Sequence, residues 1–239
     1  MYTFFYKLVI ISYGDEMKKY KNELFGILIF IFYLGYSKYM PYVLTYSNFD
    51  SLPIALKLFS LILVDLLLLI IISFAYLSTI AKDFKDFKLN FKKYINEYTK
   101  YWFLNIGLMA AANIIISSLI DIKQATNQVY VESLLFKYPI YSIITAAIIA
   151  PITEELIFRL NFRKIFKTDI LFIFISGLVF GIMHMSIAES VPELLYIIPY
   201  SIPGFIFAYT LKKSNNIFVP ISLHVFHNTI MILMQFLIR

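Results

Sequence analysis

The stretch AAIIAPITEELIFR, residues 146–159, places two adjacent carboxylates inside an apolar run. A carboxylate at bilayer depth costs a few kcal/mol on insertion scales, so an ionisable side chain there usually faces a cavity and serves a function. Arg159 follows Glu155 at a spacing of four, which brings both residues onto one face of a helix. Glu154 points about 100° away from this pair and is left free. The stretch therefore predicts a membrane helix that carries a catalytic site.

The composition of the whole chain is that of a polytopic membrane protein. Of its 239 residues, 60% are hydrophobic and only 15% are charged, and the mean hydropathy is +0.77. Soluble domains are roughly 45–50% apolar and about 25% charged. The absence of cysteine excludes disulfides, Cys-ligated metals and a thiol nucleophile. The net charge of +6 indicates the lipid bilayer and no nucleic acid as partner, because the lysines cluster between apolar segments.

Apolar runs separated by polar breaks predict an all-α transmembrane bundle of about seven spans. Pro151 is expected to kink the fourth span, and Pro199, Pro203 and Gly204 are expected to bend or split the sixth. The Lys/Phe-rich residues 82–93 and the residues between the third and fourth spans are interpreted as loops. The predicted spans cover residues 23–44, 54–80, 101–120, 138–166, 169–188, 194–211 and 217–238.

The spans divide the chain into two regions. Residues 1–137 are expected to form an N-terminal membrane region with three spans and a basic cytoplasmic loop. Residues 138–239 are expected to form a four-helix catalytic core. The segment Met1–Ser12 is too short to span and lacks a small-residue cleavage site, so it is not interpreted as a signal peptide. Met17, which precedes two lysines, fits better as the start of a membrane chain.

The basic residues alternate along the chain and predict its orientation. Cytoplasmic loops carry an excess of Lys and Arg. The N-terminus is therefore expected in the cytoplasm of a multi-pass cell-membrane protein, and the C-terminus outside. The loops expected inside carry Lys18, Lys19, Lys21, Lys82, Lys85, Lys88, Lys92, Lys93, Lys100, Arg163, Lys164, Lys167, Lys212 and Lys213, and the opposite loops carry only Lys38, Lys123 and Lys137.

Three further polar groups fall in the last three spans. His184 lies in the fifth span, while His224 and Asn228 lie four residues apart, and so on one helix face, in the seventh. At about 1.5 Å per residue, Glu154, His184, His224 and Asn228 come to roughly 18, 23, 12 and 18 Å from the cytoplasmic ends. Glu154 beside His184 is expected to deprotonate a water, and His224 and Asn228 to donate hydrogen bonds to the resulting oxyanion. Glu154, His184 and His224 equally match a three-ligand zinc site.

Two other polar groups within spans have less specific interpretations. Asp65, an acid in the second span, is expected to pair with Asn105, Asn113 or a backbone group. The alternative is that Asp65 takes part in the catalytic site. His227 points away from Asn228, so a structural role is predicted for it.

The motifs are similar to those of a known family. Glu154-Glu155-x-x-x-Arg159, then Phe180-x-x-x-His184, then His224-x-x-x-Asn228 stand in order, each in a separate apolar segment. They resemble the three motifs of the CAAX prenyl protease and bacteriocin-processing (CPBP, or Abi) family, which includes the lysostaphin-resistance-like proteins. The resemblance covers about residues 138–238. The family often has a glycine after the motif arginine, where this chain has Leu160.

The resemblance implies an intramembrane endopeptidase. Glu154 and His184 would activate water, His224 and Asn228 would stabilise the transition state, and Glu155 and Arg159 would support them. Family members are often labelled metalloproteases, although a metal-independent mechanism is also argued, so the implied cofactor is either one divalent metal ion such as zinc or none.

The predicted function is hydrolysis of a peptide or membrane-associated protein precursor. A prenylated CAAX substrate follows by analogy alone, and a bacteriocin or signal-peptide precursor is favoured, with self-immunity as a further role. One alternative is a non-catalytic immunity or scaffold protein. Another is an ion- or proton-coupled transporter, which predicts two related halves with Gly/Pro-broken helices, whereas the sequence contains one such helix.

Overall fold

The computed structural model describes residues 21–40, 42–43 and 49–238. Within these residues the protein is helical and has no strand, so the predicted all-α bundle is confirmed. The segment Met1–Ser12, the predicted start at Met17, and Lys18 and Lys19 lie outside the described residues. The helices are α1 (Lys21–Met40), α2 (Ile54–Ala75), α3 (Leu77–Leu89), α4 (Phe91–Ile120), α5 (Thr126–Lys137), α6 (Pro139–Ile165), α7 (Asp169–His184), α8 (Pro192–Ser214) and α9 (Phe218–Ile238).

Among the described residues, six helices are long and apolar enough to cross a membrane: α1, α2, α4, α6, α8 and α9. α7 is apolar but has only 16 residues, or about 24 Å at 1.5 Å per residue. The hydrocarbon core of a bilayer is about 30 Å thick. The predicted span 169–188 is therefore a shorter helix than expected, because the chain turns after His184. The described part thus contains six full-length spans and one short apolar helix.

Two stretches predicted as loops are helical. The Lys/Phe-rich stretch 82–93 lies in α3 and the first turn of α4, so α4 begins ten residues before the predicted span at 101. The connection before the fourth predicted span contains α5. Both predictions were wrong for the same reason: hydropathy detects long apolar runs, and α3 and α5, with 13 and 12 residues, are too short and too polar to give one.

One end of the bundle gathers most of the basic residues, and we call it the basic end. Asp169 pairs there with Arg163 at 2.7 Å and with Lys212 at 3.6 Å. Asn216 donates to Asp86 at 2.8 Å, which ties the α8–α9 connection to α3. The described basic residues at this end are Lys21, Lys82, Lys85, Lys88, Lys92, Lys93, Lys100, Arg163, Lys164, Lys167, Lys212 and Lys213.

The opposite end holds the α4–α5 connection, α5, the start of α8 and the end of α9. The backbone N–H of Thr126 donates to Glu193 at 2.6 Å, and the Gln235 amide donates to Glu132 at 2.8 Å. These contacts, with those at the basic end, agree with helices that alternate in direction as the lysines predict. The described basic residues at this end are Lys38, Lys57, Lys123 and Lys137.

α6 is irregular around Pro151. The segments Ile143–Ile149 and Glu155–Asn161 are π-helical and flank the α-helical turn Ala150–Glu154. Proline lacks an N–H group, and its ring clashes with the preceding helical turn. Short π-helical segments inside α-helices frequently occur at functional sites. A kink is the irregularity expected at Pro151; the structure shows one wider helical turn on either side of it, and the second begins at Glu155.

Close packing of α7 on α8 sets the position of His184. A Cβ atom added at Gly204 would lie 2.7 Å from the backbone of Gly177, and one at Gly181 would lie 2.1 Å from Ser201 Oγ. Small residues allow two membrane helices to approach this closely. The split expected at Pro199, Pro203 or Gly204 is wrong, because Ile197–Ser214 is one α-helix that contains all three residues. A 3₁₀ turn, Pro192–Tyr196, precedes it.

Candidate active site

A cavity of about 610 Å³ lies between α4, α5, α6, α7, α8 and α9. Four of the six predicted site residues line it: Glu154 from α6, His184 from α7, and His224 and Asn228 from α9. The other two, Glu155 and Arg159, are fully buried beside it. Side chains from three separate helices are thus brought to one hollow, which is the arrangement that the polar spacing predicts.

His224 lies between the two glutamates. Its Nδ1 is 2.9 Å from Glu155 Oε1, and its Nε2 is 3.7 Å from Glu154 Oε2. Glu155 is paired with a cation and acts only as an acceptor, so the Nδ1–H group donates to it. The other nitrogen of the His224 ring, Nε2, therefore faces Glu154. The Glu154 side chain is 20% exposed, which leaves part of its carboxylate open to the cavity.

The predicted pairing of Glu155 with Arg159 is confirmed. Arg159 Nε lies 3.1 Å from Glu155 Oε2, and both side chains are 0% exposed. The guanidinium carbon lies 4.5 Å from the ring centroid of Phe180 and 5.9 Å from that of Phe207. Arginine over an aromatic face is stabilised by the ring quadrupole. A buried cation between two rings thus balances the carboxylate that holds His224.

His184 ends α7 and lines the cavity. Its Nδ1 donates to the carbonyl oxygen of Phe180 at 2.8 Å, which leaves Nε2 free. The ring stacks on Tyr200, with centroids 4.9 Å apart and planes at 20°. Among the described residues, His224 and not His184 lies within 4.0 Å of Glu154. Glu154 therefore contacts His224 directly, because α9 packs against the Glu154 turn of α6, while His184 lines the same cavity.

Asn228 connects α9 to α6. Its Nδ2 donates to the carbonyl oxygen of Ala146 at 2.8 Å, within the first π-helical segment. An amide nitrogen carries two protons, so one remains for a ligand. His227, for which a structural role is predicted, lies 3.4 Å from the Asn105 amide through Nδ1, and it also lines the cavity.

The partners expected for Asp65 are wrong. Its carboxylate accepts a hydrogen bond from Tyr36 at 2.8 Å, whereas Asn105 contacts His227 and Asn113 donates to the Met109 carbonyl. Tyr36 belongs to α1, and hydropathy gives no information on which helix faces Asp65. The alternative that Asp65 serves the site is not supported by the cavity, which Asp65 does not line.

The site residues do not fit a metal in this arrangement. Among the described residues, no group of three or more His, Asp or Glu side chains is placed to hold a metal ion. Nε2 of His224 and Oε2 of Glu154 lie 3.7 Å apart, but the ring nitrogens of His184 lie more than 4.0 Å from the Glu154 carboxylate. Two ligands of one zinc ion, each about 2.0–2.2 Å from the metal, lie closer together than that. The three predicted zinc ligands are therefore not assembled around one point.

Sequence reasoning missed two aromatic residues of the site. Tyr200 stacks on His184, and the Phe207 ring lies 4.9 Å from the His224 ring. Both come from α8, which carries no motif. They are seven residues apart and therefore lie on one helix face, and this spacing is the signal that would have pointed to them.

Comparisons with known proteins agree with the motifs. Residues 136–230 match the family model described as type II CAAX prenyl endopeptidase Rce1-like. The chain is also similar to the protein named "Putative membrane peptidase YdiL" of Bacillus subtilis (strain 168), with 36% identity over 96 residues. This match covers 39% of the chain and 36% of that protein. No solved structure matches the chain.

The predicted resemblance is thus confirmed for the region that holds the three motifs. The chain covers about a third of the length of its relative, 36%, and α1 to α4 lie outside the family match. Together with the six long apolar helices, the match makes the chain a multi-pass membrane protein.

Proposed function

We propose that the chain is an intramembrane endopeptidase that hydrolyses a peptide bond with a water activated by Glu154. The observation that carries the proposal is the single cavity lined by Glu154, His184, His224 and Asn228. The match to an Rce1-like endopeptidase model and the peptidase name of the relative support the same class of activity.

The reaction begins with a water between Glu154 and His184. The free Nε2 of His184 accepts a hydrogen bond from the water and orients it, while the Glu154 carboxylate takes one of its protons as general base. The water oxygen attacks the carbonyl carbon of the substrate. The carbonyl π electrons move to oxygen and give a tetrahedral oxyanion.

Asn228 and His224 stabilise this oxyanion. The donors are the second Nδ2 proton of Asn228 and, in the doubly protonated ring of His224, the Nε2 proton, since Nδ1 already donates to Glu155. The proton held by Glu154 then passes to the leaving nitrogen, and the C–N bond breaks. The products are a carboxylic acid and an amine, and Glu154 returns to its starting state.

Glu155 and Arg159 act as positioning residues. Glu155 accepts from Nδ1 of His224 and so directs Nε2 toward Glu154. Arg159 keeps the Glu155 charge balanced in a site with no access to water. A hydrogen-bond partner at one nitrogen of a histidine ring sets the orientation and the proton position of the other nitrogen.

The proposed substrate is a peptide or a membrane-associated polypeptide. A cavity of about 610 Å³ is within the usual range for ligand sites, about 300–1,000 Å³. Cleavage of a prenylated CAAX polypeptide, after the prenyl endopeptidase description of the family, and processing of a secreted peptide precursor are two members of this class. A binding-only immunity or scaffold role is the rival proposal, and it requires no hydrolysis.

The experiment uses purified protein in liposomes, a synthetic peptide library and ¹⁸O-labelled water. Each peptide bond hydrolysed by the protein gains one ¹⁸O at the new carboxyl terminus, which mass spectrometry detects. We expect Glu154→Gln and His184→Ala to lower the rate by at least about a hundredfold, the lower range for a lost acid–base group. Glu189→Gln, an exposed glutamate outside the cavity, is the matched control and should retain the wild-type rate.

Thermal unfolding in detergent must show all variants folded. Full activity of Glu154→Gln or His184→Ala would overturn the assigned roles. Absence of ¹⁸O incorporation by the wild-type protein across the library, with the protein folded, would favour the binding-only rival.

A further inference from the structure

The active-site cavity leads toward the end of the bundle opposite the basic end. Besides the site residues, its lining includes the polar residues Lys123, Gln124, Asn127, Gln128, Glu132 and Gln235. Lys123 and Gln124 are exposed and lie in the α4–α5 connection, and Gln235 lies near the end of α9. We call these six residues the polar mouth. The cavity thus continues from the motif residues to an exposed, hydrophilic rim.

The other direction is closed. Glu155, Phe158, Arg159 and Phe207 lie on the basic-end side of Glu154 and are each at most 1% exposed. The arginine is packed against Phe207 and Phe180, so the layer contains a charge pair without access to water. No residue of α1, α2, α3 or the α6–α7 and α8–α9 connections lines the cavity. An aqueous path from the basic end to Glu154 is therefore blocked by a packed layer.

We propose that substrate enters this cavity from the extracytoplasmic side of the membrane. Short loops rich in Lys and Arg remain in the cytoplasm, which assigns the basic end to the cytoplasm and the polar mouth to the outside. The substrate is then a polypeptide segment located outside the cytoplasm: a translocated peptide or the outer flank of a membrane protein. That the entering segment is a substrate rests on the proposed hydrolase function, whereas the side from which it enters does not.

The lining of the cavity fits a peptide chain. At the mouth, Glu132 Oε1 accepts from the amides of Gln128 and Gln235, each at 2.8 Å, and from Gln124 at 3.3 Å. Amide side chains carry both donors and acceptors, as the peptide groups of an extended chain do. Apart from Asn113 and Ser117, the remaining α4, α5 and α9 residues of the wall are mainly apolar and offer contacts for aliphatic or aromatic side chains: Met109, Ile114, Val131, Leu135, Met231 and Ile232.

The absence of cysteine makes the proposal directly testable, because every introduced thiol is unique. Single cysteines are placed at Gln124 in the mouth, Met231 in the cavity wall, Leu233 on the lipid side of α9 and Lys85 at the basic end. Met231 is 37% exposed and lines the cavity, while Leu233 is 51% exposed but does not line it. Cells producing the full chain are treated with a charged, membrane-impermeant methanethiosulfonate reagent, before and after permeabilisation.

We expect Gln124→Cys and Met231→Cys to react in intact cells, and Lys85→Cys to react only after permeabilisation. Leu233→Cys should not react in either case, because a charged reagent does not enter the hydrocarbon region. Reaction of Met231→Cys only after permeabilisation, or no reaction at all, would overturn the proposal. Reaction of Lys85→Cys in intact cells would overturn it as well.

The labelling experiment does not require the protein to hydrolyse a peptide. Loss of the proposed peptidase activity would leave the side of entry standing, and an inside-facing mouth would leave the hydrolysis standing. As a folding control, each variant is compared with the wild type by size-exclusion chromatography in detergent before labelling is interpreted.

Discussion

Nδ1 of His224 lies 2.9 Å from Oε1 of Glu155, a carboxylate with no exposed surface. This contact joins the first and third motifs across 69 positions of sequence. It also places the second nitrogen of the ring 3.7 Å from Glu154. Two adjacent glutamates therefore have different environments: Glu155 is buried and paired, and Glu154 is partly open to the cavity.

The Glu155–Arg159 pair predicts a non-additive effect on stability. Glu155→Gln removes the carboxylate paired with the buried Arg159 charge, and breaking such a pair costs about 3–5 kcal/mol in free energy of unfolding. The double variant Glu155→Gln/Arg159→Met removes both charges and should be more stable than Glu155→Gln alone. The measurement is chemical denaturation in detergent. Equal stability of the single and double variants would show that the charge is compensated elsewhere.

The α7–α8 contact predicts opposite effects for two glycines. Gly204→Ala should lower the free energy of unfolding by about 1–3 kcal/mol, because overpacking forces the helices apart, and its new Cβ would lie 2.7 Å from Gly177 backbone atoms. Gly107→Ala is the matched control. Nothing lies within 4 Å of a Cβ there, so alanine should stabilise α4 by about 0.5–1 kcal/mol. Thermal unfolding midpoints test the two signs, and an unchanged midpoint for Gly204→Ala would contradict the close contact.

Asp83 and Asp86 at the basic end predict opposite pH dependence. Burial raises the pKa of Asp83 above its usual 3.8. The folded state then holds this proton more tightly than the unfolded state, so the stabilisation is full below pH 3.8 and is lost as the pH rises through the raised value. Hydrogen bonds from Tyr94 and Asn216 lower the pKa of Asp86. Its stabilisation is present above pH 3.8 and is lost as the pH falls through the lowered value.

The test compares Asp83→Asn and Asp86→Asn with the wild type by denaturation between about pH 2 and pH 7. The stability advantage of the wild type over Asp86→Asn should shrink on acidification. The wild type should become less stable relative to Asp83→Asn as the pH rises. Parallel curves for either variant would remove that carboxylate as a source of the pH dependence.

Glu132 predicts local stability of α5. Its Oε1 accepts from Gln128 and Gln235 at 2.8 Å each, and so ties α5 to α9. Hydrogen bonds to a charged group contribute about 1.5–3 kcal/mol, so Glu132→Ala should accelerate amide hydrogen exchange in α5 by at least about tenfold. Val129→Ala, at an exposed position on the same helix, is the control and should leave exchange nearly unchanged. If both variants exchange alike, Glu132 does not hold the helix.

Local features of the site were predictable from the sequence. The pairing of Glu155 with Arg159 follows from a spacing of four on one helix, and the structure confirms it at 3.1 Å. The irregularity at Pro151 follows from a missing N–H group, and two π-helical segments flank it. The six long spans were predictable from the length of their apolar runs, because any helix needs about 20 apolar residues to cross the hydrocarbon core of a bilayer.

Contacts between helices were not predictable in the same way. The spacing within α6 and α9 gives no indication of whether Glu154 faces His184 or His224. The Tyr36 partner of Asp65 and the two aromatic side chains from α8 are likewise set by neighbours distant in sequence. α5 escaped detection because it is neither long nor apolar enough to span.

The amino-acid sequence by itself determined that this protein is a helical membrane bundle and that acidic, imidazole and amide groups lie within its spans. It did so because hydropathy and helical periodicity depend only on residues close together in the chain. Tertiary structure alone decided that His224 bridges the two glutamates and that a closed aromatic and charged layer lies on one side of Glu154. Those relations depend on how the faces of separate helices pack, and small residues such as Gly177 and Gly204 set that packing by permitting backbone contact.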